Sequence, residues 1–561
     1  MKNTVEMKSI QNGKLLLFIL PLFYLLTACL FIYSIRYFYI ANFDSTYVYL
    51  MNGTNIASGH LMVGNNEHPG APVEIITAIV IFIKHCFTGN GNILYQDVLL
   101  HPESYLLTCS AVLIMLFTIG SYFAGAYIFR HTGNMLLALL FQLSPLFYRE
   151  MVQKTVLLSA ESIMVIVNMW FIPYIYIKAI YQNQPGREPA NKSIMLFGLY
   201  TALLFTTKVY CALFCLPILF LLNSNRQRII YLFYCGLFSL LLLFPIYSRF
   251  RNWIGTVKSM ILHQGAYGQG SSGFINGILY RNNLLNIFTT HYIFCLIYLI
   301  VAVAFVMSIR KVLKEKIGIS GFISPVTGIF IFFTLFVVVI AKQYTVIYPE
   351  PLTHEVVTIS KYYYFTPLIG WFPVFICIAY SYFSTNLFSS IRRKAGYALL
   401  IVFTVFASVR TYGSCYMACN QGVTPESTSA FLEKYKDTPL IIVSDGNKSC
   451  VQPAIFLGIA YSGPWGAKVY TEFIKKVYPD TYLYTTYNKE LIFWGEDRDI
   501  NSILKKNKQA LVYISGKDSV VKSIIVSAIC NGTMLKNNYS KIYANANNYE
   551  NVYLLKADTA R

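Results

Sequence analysis

Three side chains that can handle protons or cations stand close together just after the first apolar run of the chain. Asp44, Glu67 and His68 all lie in a polar stretch that extends from Arg36 to Val73. A carboxylate beside a membrane-embedded segment is costly unless it is solvated, paired or used in a reaction. Asp44 is therefore a candidate general base, a group that takes a proton from an attacking nucleophile. The alternative is an N-cap, because Asp44 opens a helix-like run and aspartate is a preferred capping residue.

Glu67 and His68 form a second polar pair. A carboxylate oxygen and an imidazole nitrogen suit a divalent cation, and they can equally orient a polar acceptor. Neighbouring residues converge on one ion only where the backbone bends, and Pro69-Gly70 provides such a bend. A plain polar turn is the commoner outcome for such a pair, so a metal site is one of two alternatives that the residues leave open.

The composition excludes an ordinary soluble domain. Of the 561 residues, 56% are hydrophobic and only 12% are charged, which is typical of an integral membrane protein with many spans. The net charge of +20 is divided into short groups of Lys and Arg between apolar runs, without the basic stripe of a nucleic-acid-binding protein. The charge therefore indicates membrane topology and phosphate-bearing lipid partners, and no nucleic-acid partner is expected.

The apolar runs predict the topology. Leu15 to Ile35 follows three lysines without a cleavage site, so it is expected to stay as an anchor with the N-terminus in the cytoplasm. Val73 to Phe87 is short and charged, which favours a helix lying at the interface. Ser193 to Asn223 fits one long helix or two short ones that turn at Lys208, and only two short helices keep the later Lys and Arg groups cytoplasmic. About eleven spans and an external C-terminus follow.

The fold class predicted is mainly α, a polytopic helical bundle followed by a small α/β domain. Residues 1–412 form the membrane domain, with an outer loop over residues 36–102, and residues 413–561 form the extracytoplasmic domain. Three short apolar runs predict strands in the second domain, and three segments of helical period lie before and between them. The predicted strands are Pro439 to Ser444, Ala510 to Ser515 and Asn551 to Lys556; the predicted helices are Glu426 to Lys436, Ala467 to Val477 and Ser519 to Ile529.

Asp44, Tyr47, Asn55 and Gly59 make a D-x2-Y-x7-N-x3-G pattern that leads into Glu67-His68-Pro69-Gly70. Here the chain resembles the GT-C type glycosyltransferases, the class that includes protein O-mannosyltransferases and lipid A aminoarabinose transferases. The resemblance implies a GT-C-like bundle, a polyprenyl-phosphate sugar donor and Asp44 as the presumed base. It also implies inversion at the anomeric carbon. Asp44 is followed by Ser45, whereas many members of the class have a second acid.

Three further residues are candidates for binding the donor phosphate. Lys208 lies in Gly198 to Pro217, a segment similar to a short Gly-rich helix and T-K turn of the same class; the alternative is a snorkelling lysine. Lys361 precedes a Tyr-rich entry into a late span that also looks like the class, and the alternative is an interfacial anchor. His263 opens a Gly-rich loop suited to closing over a lipid-linked substrate, and the alternative is a plain loop.

The sequence thus predicts a multi-pass membrane glycosyltransferase, a hexosyl- or pentosyltransferase that uses a lipid, glycan or protein acceptor at the extracytoplasmic face. A divalent cation is possible but is not established by these residues. One alternative is a transporter or flippase of a lipid-linked sugar, which predicts functional charges near the bilayer midplane and a pseudo-repeat. The others are a non-catalytic membrane assembly subunit and a polysaccharide polymerase or ligase that shares the donor.

Overall fold

A computed structural model gives the structure of the chain. It describes residues 2–35, 37–64, 70–89, 91–147, 151–181, 190–222, 224–262, 425–443, 451–485, 490–492, 500–515, 539–545 and 550–556, with scattered positions between 281 and 409. Elements are numbered below in their order along this described part. The predicted boundary at residue 412 lies outside it.

The N-terminal part consists of helices. They are α1 Lys2–Ile35, α2 Phe38–Ala57, α3 Ala71–Thr88, α4 Leu94–Leu100, α5 Pro102–Thr132, α6 Met135–Leu143, α7 Met151–Val156, α8 Ala160–Ile175, α9 Asn191–Thr207, α10 Cys215–Leu221, α11 Asn225–Leu242 and α12 Phe250–Leu262. Short 3-10 segments precede α7, α10 and α12, and a π-helical turn, Tyr176–Tyr181, extends α8. The mainly helical fold predicted for this part is confirmed.

The directions of the long helices follow from their side-chain contacts. Phe18 of α1 stacks on Tyr122 of α5, whereas the start of α2 binds Glu103 at the start of α5, so α1 and α5 are antiparallel. Phe123 of α5 packs on Trp170 of α8, and Tyr127, one turn later, packs on Tyr174, so these two helices are parallel. Tyr174 near the end of α8 contacts Ser193 near the start of α9, so α9 is antiparallel to α8. The end of α1, the starts of α5 and α8 and the end of α9 therefore share one end of the bundle.

In the described part of the chain, four helices are long and apolar enough to cross a membrane: Leu15–Ile35, Ala71–Thr88, Pro102–Thr132 and Ala160–Tyr181. A fifth is possible if Asn225–Leu242 and Phe244–Lys258, which meet at 77°, form one bent span. The predicted spans beyond residue 286 fall almost wholly outside the described residues. The predicted total of about eleven spans therefore stays a prediction.

Helix α3 lies across one end of the bundle. The backbone N–H of Gly70, immediately before α3, donates to the carbonyl of Thr207 at the end of α9, 3.3 Å away. At the other end of α3, Lys84 Nζ donates to Ser104 Oγ in the first turn of α5, 2.6 Å away. Both partners belong to the same end of the bundle. These contacts favour the interfacial placement that the sequence predicts, although the length and composition of α3 also suit a span.

The predicted break at Lys208 is present. Helix α9 ends at Thr207, and Lys208 has an extended backbone with φ −148° and ψ 129°. A 3-10 segment, Val209–Phe214, and α10 continue the chain from there. The segment is therefore two short helical pieces joined at Lys208 and not one long helix.

The C-terminal part is a small α/β domain, as predicted. Its elements are α13 Pro425–Glu433, β1 Leu440–Val443, α14 Gln452–Ala460, α15 Gly463–Val477, β2 Thr481–Thr485, β3 Glu490–Ile492, α16 Ile500–Asn507, β4 Gln509–Ser515, β5 Tyr539–Asn545 and β6 Glu550–Lys556. The strand order is β3-β2-β1-β4-β6-β5, with β1 parallel to β2 and β4 and the other pairs antiparallel. Helix α14 packs on α2, so the domain lies at the end of the bundle defined above, which we call the domain end.

The close packing of α2 on α3 depends on Gly53. A Cβ atom built on Gly53 would lie 2.5 Å from Thr77 Cγ2, whereas one on Gly236 in α11 would meet nothing within 4 Å. We expect Gly53→Ala to lower the free energy of unfolding by about 1–3 kcal/mol through overpacking. Gly236→Ala, the matched control, should be neutral or stabilising by up to about 1 kcal/mol. Thermal unfolding of the two purified variants compares them, and equal melting temperatures would contradict this packing.

Candidate active site

A buried ion pair joins the start of α8 to the end of α9 at the domain end. Lys208 Nζ lies 2.5 Å from Glu161 Oε1, and the two side chains are only 7% and 8% exposed. A capping box with Ser159 as the N-cap starts α8 and fixes Glu161 in its first turn. A second positive charge, Lys154, acts on the same carboxylate. A snorkelling lysine would hold its ammonium in water, and that of Lys208 is instead enclosed.

Gly70, two residues after His68 in sequence, contacts the residue that precedes Lys208. Gly70 has φ +59° and therefore adopts the left-handed conformation that favours glycine. A Cβ atom there would also overlap the ring of Tyr49, at 2.3 Å. Its hydrogen bond to Thr207 places the residue next to Lys208. Glu67 and His68 themselves lie outside the described residues, as do His263 and Lys361.

Helix α2 carries Asp44 across the domain end. The helix begins at Phe38 and the residue before it is Tyr37, so Asp44 lies inside the helix and the N-cap alternative for it is wrong. Two residues after Asp44, Thr46 Oγ1 donates to the carbonyl of Leu158, 3.2 Å away. Leu158 lies three residues before Glu161, in the bend that leads into α8, so the α2 turn that holds Asp44 lies against the segment that holds the ion pair.

Glu103 at the start of α5, and not Asp44, caps the N-terminus of α2. Its carboxylate accepts hydrogen bonds from the backbone N–H groups of Phe38 and Tyr39, at 2.7 and 3.2 Å. It also accepts one from the Tyr47 hydroxyl at 2.5 Å. Burial, followed by the nearby Glu103 charge, holds the pKa of Tyr47 well above its ordinary value, so the hydroxyl keeps its proton and donates. Tyr47 of the sequence motif therefore anchors α2 to α5.

Two further acidic groups at the domain end were not predicted as functional. Asp97 accepts a hydrogen bond from Tyr105 and lies 3.3 Å from His85 Nδ1. These contacts connect α4 to the last turn of α3 and to the first turn of α5. Glu74 in the first turn of α3 is fully buried, and neither of its carboxylate oxygens has a hydrogen-bond partner in the described part of the chain. Its only sequence signal was a charge within an apolar run.

A cavity of about 760 Å³ separates the start of α5 from the C-terminal domain. Glu103, His101 and Tyr39 line it on the side of the bundle, and Lys436, Gln452 and Asp480 are among the residues that line it on the side of the domain. The cavity therefore reaches the carboxylate that caps α2. Its aromatic, acidic and amide groups are of the kinds that hold hydroxylated ligands.

The described residues contain no group of three His, Cys, Asp or Glu side chains arranged to hold a metal ion. Glu67 and His68, the pair proposed from the sequence for a divalent cation, lie outside these residues. The geometry brings the α2 turn of Asp44, the turn before α3 and the Lys208–Glu161 pair to one end of the bundle. Two residues of this site, Glu161 and Glu103, were not predicted from the sequence. Glu161 is 47 residues from its partner Lys208 and Glu103 is 65 residues from its partner Phe38, and neither shares a motif with its partner.

No protein-family model matches the chain, and no curated protein matches it. Among solved structures it is similar to ArnT from Cupriavidus metallidurans bound to undecaprenyl phosphate, with 11% identity over 96% of this chain and 98% of that one, at a TM-score of 0.47. The apo structure of the same protein gives 10% identity, coverage of 94% and 97%, and a TM-score of 0.45. Neither TM-score reaches 0.5, so function has to be argued from the residues of the chain itself.

Proposed function

We propose that the chain transfers a sugar from a polyprenyl-phosphate donor to an acceptor at the domain end of the bundle. The observation that carries the proposal is the juxtaposition of the Asp44-bearing helix with the buried Lys208–Glu161 pair. A carboxylate on one element and a cation on another are the two groups that this reaction needs, one for the acceptor proton and one for the phosphate.

The reaction balances with these groups alone. An acceptor hydroxyl or amine forms a bond to the anomeric carbon while the bond from that carbon to the phosphate oxygen breaks. The electron pair of the broken bond leaves with the polyprenyl phosphate, and the acceptor proton passes to the carboxylate of Asp44. A single displacement inverts the anomeric carbon and needs no covalent enzyme intermediate. A divalent cation held by Glu67 and His68 would assist the departing phosphate.

Lys208 is proposed to stabilise negative charge on the departing phosphate. Glu161 holds the ammonium in one place before the donor arrives, which removes part of the cost of ordering a long side chain. Because the pair is enclosed, its electrostatic field is less screened than that of a surface lysine. Lys361 is proposed as a further phosphate ligand on the resemblance alone, and His263 on the Gly-rich loop that it opens.

The cavity between α5 and the C-terminal domain is proposed to receive the acceptor. The cavity lies at the start of α2, the helix that contains Asp44, and it is lined by residues of both the bundle and the C-terminal domain. A cavity in which tyrosine, acidic and amide side chains lie among apolar ones suits the hydroxylated part of a lipid, glycan or glycosylated protein. The acceptor would then enter between bundle and domain while the donor enters from the lipid.

The rival function, transport of a lipid-linked sugar, is less well supported. The buried charged residues in the described part of the bundle are Glu74, Asp97, Glu161 and Lys208. All of them lie in or beside the terminal turns of their helices at the domain end. A transporter of this size is expected to place its substrate-binding groups near the midplane. The buried polar residues deeper in the bundle, such as Gln142 and Asn168, are neutral.

The proposal is tested by incubating purified full-length protein with a panel of polyprenyl-phosphate sugars labelled in the sugar, together with a membrane glycolipid extract as acceptor. The expected result is acceptor-dependent release of polyprenyl phosphate and transfer of the label for at least one donor. A protein that consumes none of the donors, but moves them between the leaflets of a vesicle, would instead support the transporter.

A further inference from the structure

Two buried amide side chains in the second half of α2 form hydrogen bonds with the C-terminal domain. Asn55 Nδ2 donates to the carbonyl of Ser462, 2.5 Å away, and Asn55 Oδ1 accepts from the Tyr470 hydroxyl at 2.5 Å. Asn52 Nδ2 donates to the carbonyl of Tyr461 at 3.0 Å. Both asparagines are fully buried. We call this set of contacts the amide clamp.

The backbones at the clamp approach each other too closely to admit side chains. A Cβ atom on Gly64, in the loop after α2, would lie 2.2 Å from both the Tyr461 carbonyl oxygen and the Gly463 nitrogen. Gly463 has φ +78°, a left-handed conformation that favours glycine. A Cβ atom on Gly458 would lie 2.8 Å from the carbonyl oxygen of Tyr47 in α2. This fit is that of a packed interior and leaves the domain little freedom relative to α2.

Aromatic rings close the outer side of the same contact. Trp465 at the start of α15 stacks on His60, with ring centroids 3.7 Å apart and planes at 20°. Tyr95 of α4 packs against Tyr470, 5.8 Å between centroids. Burial holds the pKa of Tyr470 well above its ordinary value, so its hydroxyl remains a donor to Asn55.

We infer that the C-terminal domain is a positioning element of the catalytic site, and that Asn55 and Tyr470 are its positioning residues. Glu103 holds helix α2 at its first turn and the amide clamp holds it at its last turns, while Thr46 and Gly53 make further contacts between these ends. Asp44 lies between the two ends on one continuous helix. A helix this short moves as a rigid rod, so a change at the clamp reaches the turn of Asp44. This inference rests on the proposed function.

Tyr470→Phe removes one hydroxyl and keeps the ring packing, so it tests positioning more cleanly than a truncation. The matched control is Tyr513→Phe, since Tyr513 is also fully buried and also donates at 2.5 Å, to Glu550 inside the C-terminal domain. Each variant loses one buried hydroxyl donor, and the loss at Tyr513 should cost at least as much stability because its acceptor is a carboxylate. A purely structural role therefore predicts at least as large a loss of kcat in Tyr513→Phe as in Tyr470→Phe.

We expect Tyr470→Phe to lower kcat about tenfold, since small displacements of a reacting group have effects of this order. The KM for donor should change less than about twofold, because the proposed phosphate ligands belong to segments of the chain other than α2 and the C-terminal domain. Hydrogen exchange over α2 should rise in Tyr470→Phe and stay unchanged in Tyr513→Phe. Equal kcat in the two variants, or unchanged exchange over α2, would overturn the inference.

The exchange measurement separates this inference from the proposed function. If wild-type protein transfers no sugar from any donor, the proposed function fails, and the exchange over α2 still decides whether Tyr470 controls that helix. If transfer occurs and α2 loosens in Tyr470→Phe without loss of kcat, the proposed function stands and positioning by the domain is refuted.

Discussion

Asp44→Asn is expected to lower the rate of sugar transfer by about 10² to 10⁴, the usual contribution of a general base. The amide has the shape of the carboxylate but does not accept the proton of the acceptor. Because α2 begins at Phe38 and is capped by Glu103, the substitution removes no helix cap, and the melting temperature should stay within a few degrees of wild type. Binding of polyprenyl phosphate should also be retained, since Asp44 is not proposed to contact the phosphate.

The control for this variant is Asp437→Asn, which changes an exposed acid of the C-terminal domain in the same way. It should transfer sugar at the wild-type rate. Steady-state donor consumption, measured on protein that elutes as a single species, gives both rates. Equal consumption by Asp44→Asn and wild type would remove Asp44 from the mechanism.

Breaking the Lys208–Glu161 pair from one side is expected to have the largest effect on stability. Lys208→Met leaves the Glu161 carboxylate buried without its cation, and losing one partner of a buried pair costs about 3–5 kcal/mol. The double variant Lys208→Met with Glu161→Gln removes both charges and should recover most of that loss. It should fold yet bind the donor weakly, because the proposed phosphate ligand is gone.

Lys84→Met is the matched control for the charge, because Lys84 is a partly exposed lysine that donates to the neutral Ser104. Its loss should cost only about 1 kcal/mol. Thermal unfolding and donor binding of the three variants complete the comparison. A double variant as unstable as Lys208→Met alone, or one that binds donor as tightly as wild type, would contradict the role given to the pair.

Local patterns were enough to predict the helical bundle and the centre of the C-terminal sheet. The three predicted strands correspond to β1, β4 and β6, which are internal and apolar. The edge strands β3 and β5 were missed, and so was β2, which is internal but consists mainly of tyrosine and threonine. An internal apolar strand has a run that the sequence displays directly. The pattern of the other strands depends on neighbours that are known only once the sheet is formed.

The sequence was enough to predict the local motifs of the site but not which residues of different elements contact each other there. Lys208 was found because it interrupts an apolar segment, but its partner Glu161 lies in another helix. The start of α2 was misplaced because its cap is Glu103, a side chain from a different element. Asn55 belongs to the predicted motif, yet its partner Tyr470 lies 415 residues further along the chain. Contacts of this range leave no periodicity in a single sequence.

The central claim is that the reaction takes place at the membrane face covered by the C-terminal domain. It is tested most directly in sealed proteoliposomes of known orientation, with the donor in both leaflets and a water-soluble acceptor that does not cross the membrane. Accessibility of a C-terminal tag to protease reports which vesicles carry the domain outward. The account predicts glycosylation of external acceptor only by vesicles with an exposed tag. Transfer to external acceptor by vesicles whose tag is protected would contradict it.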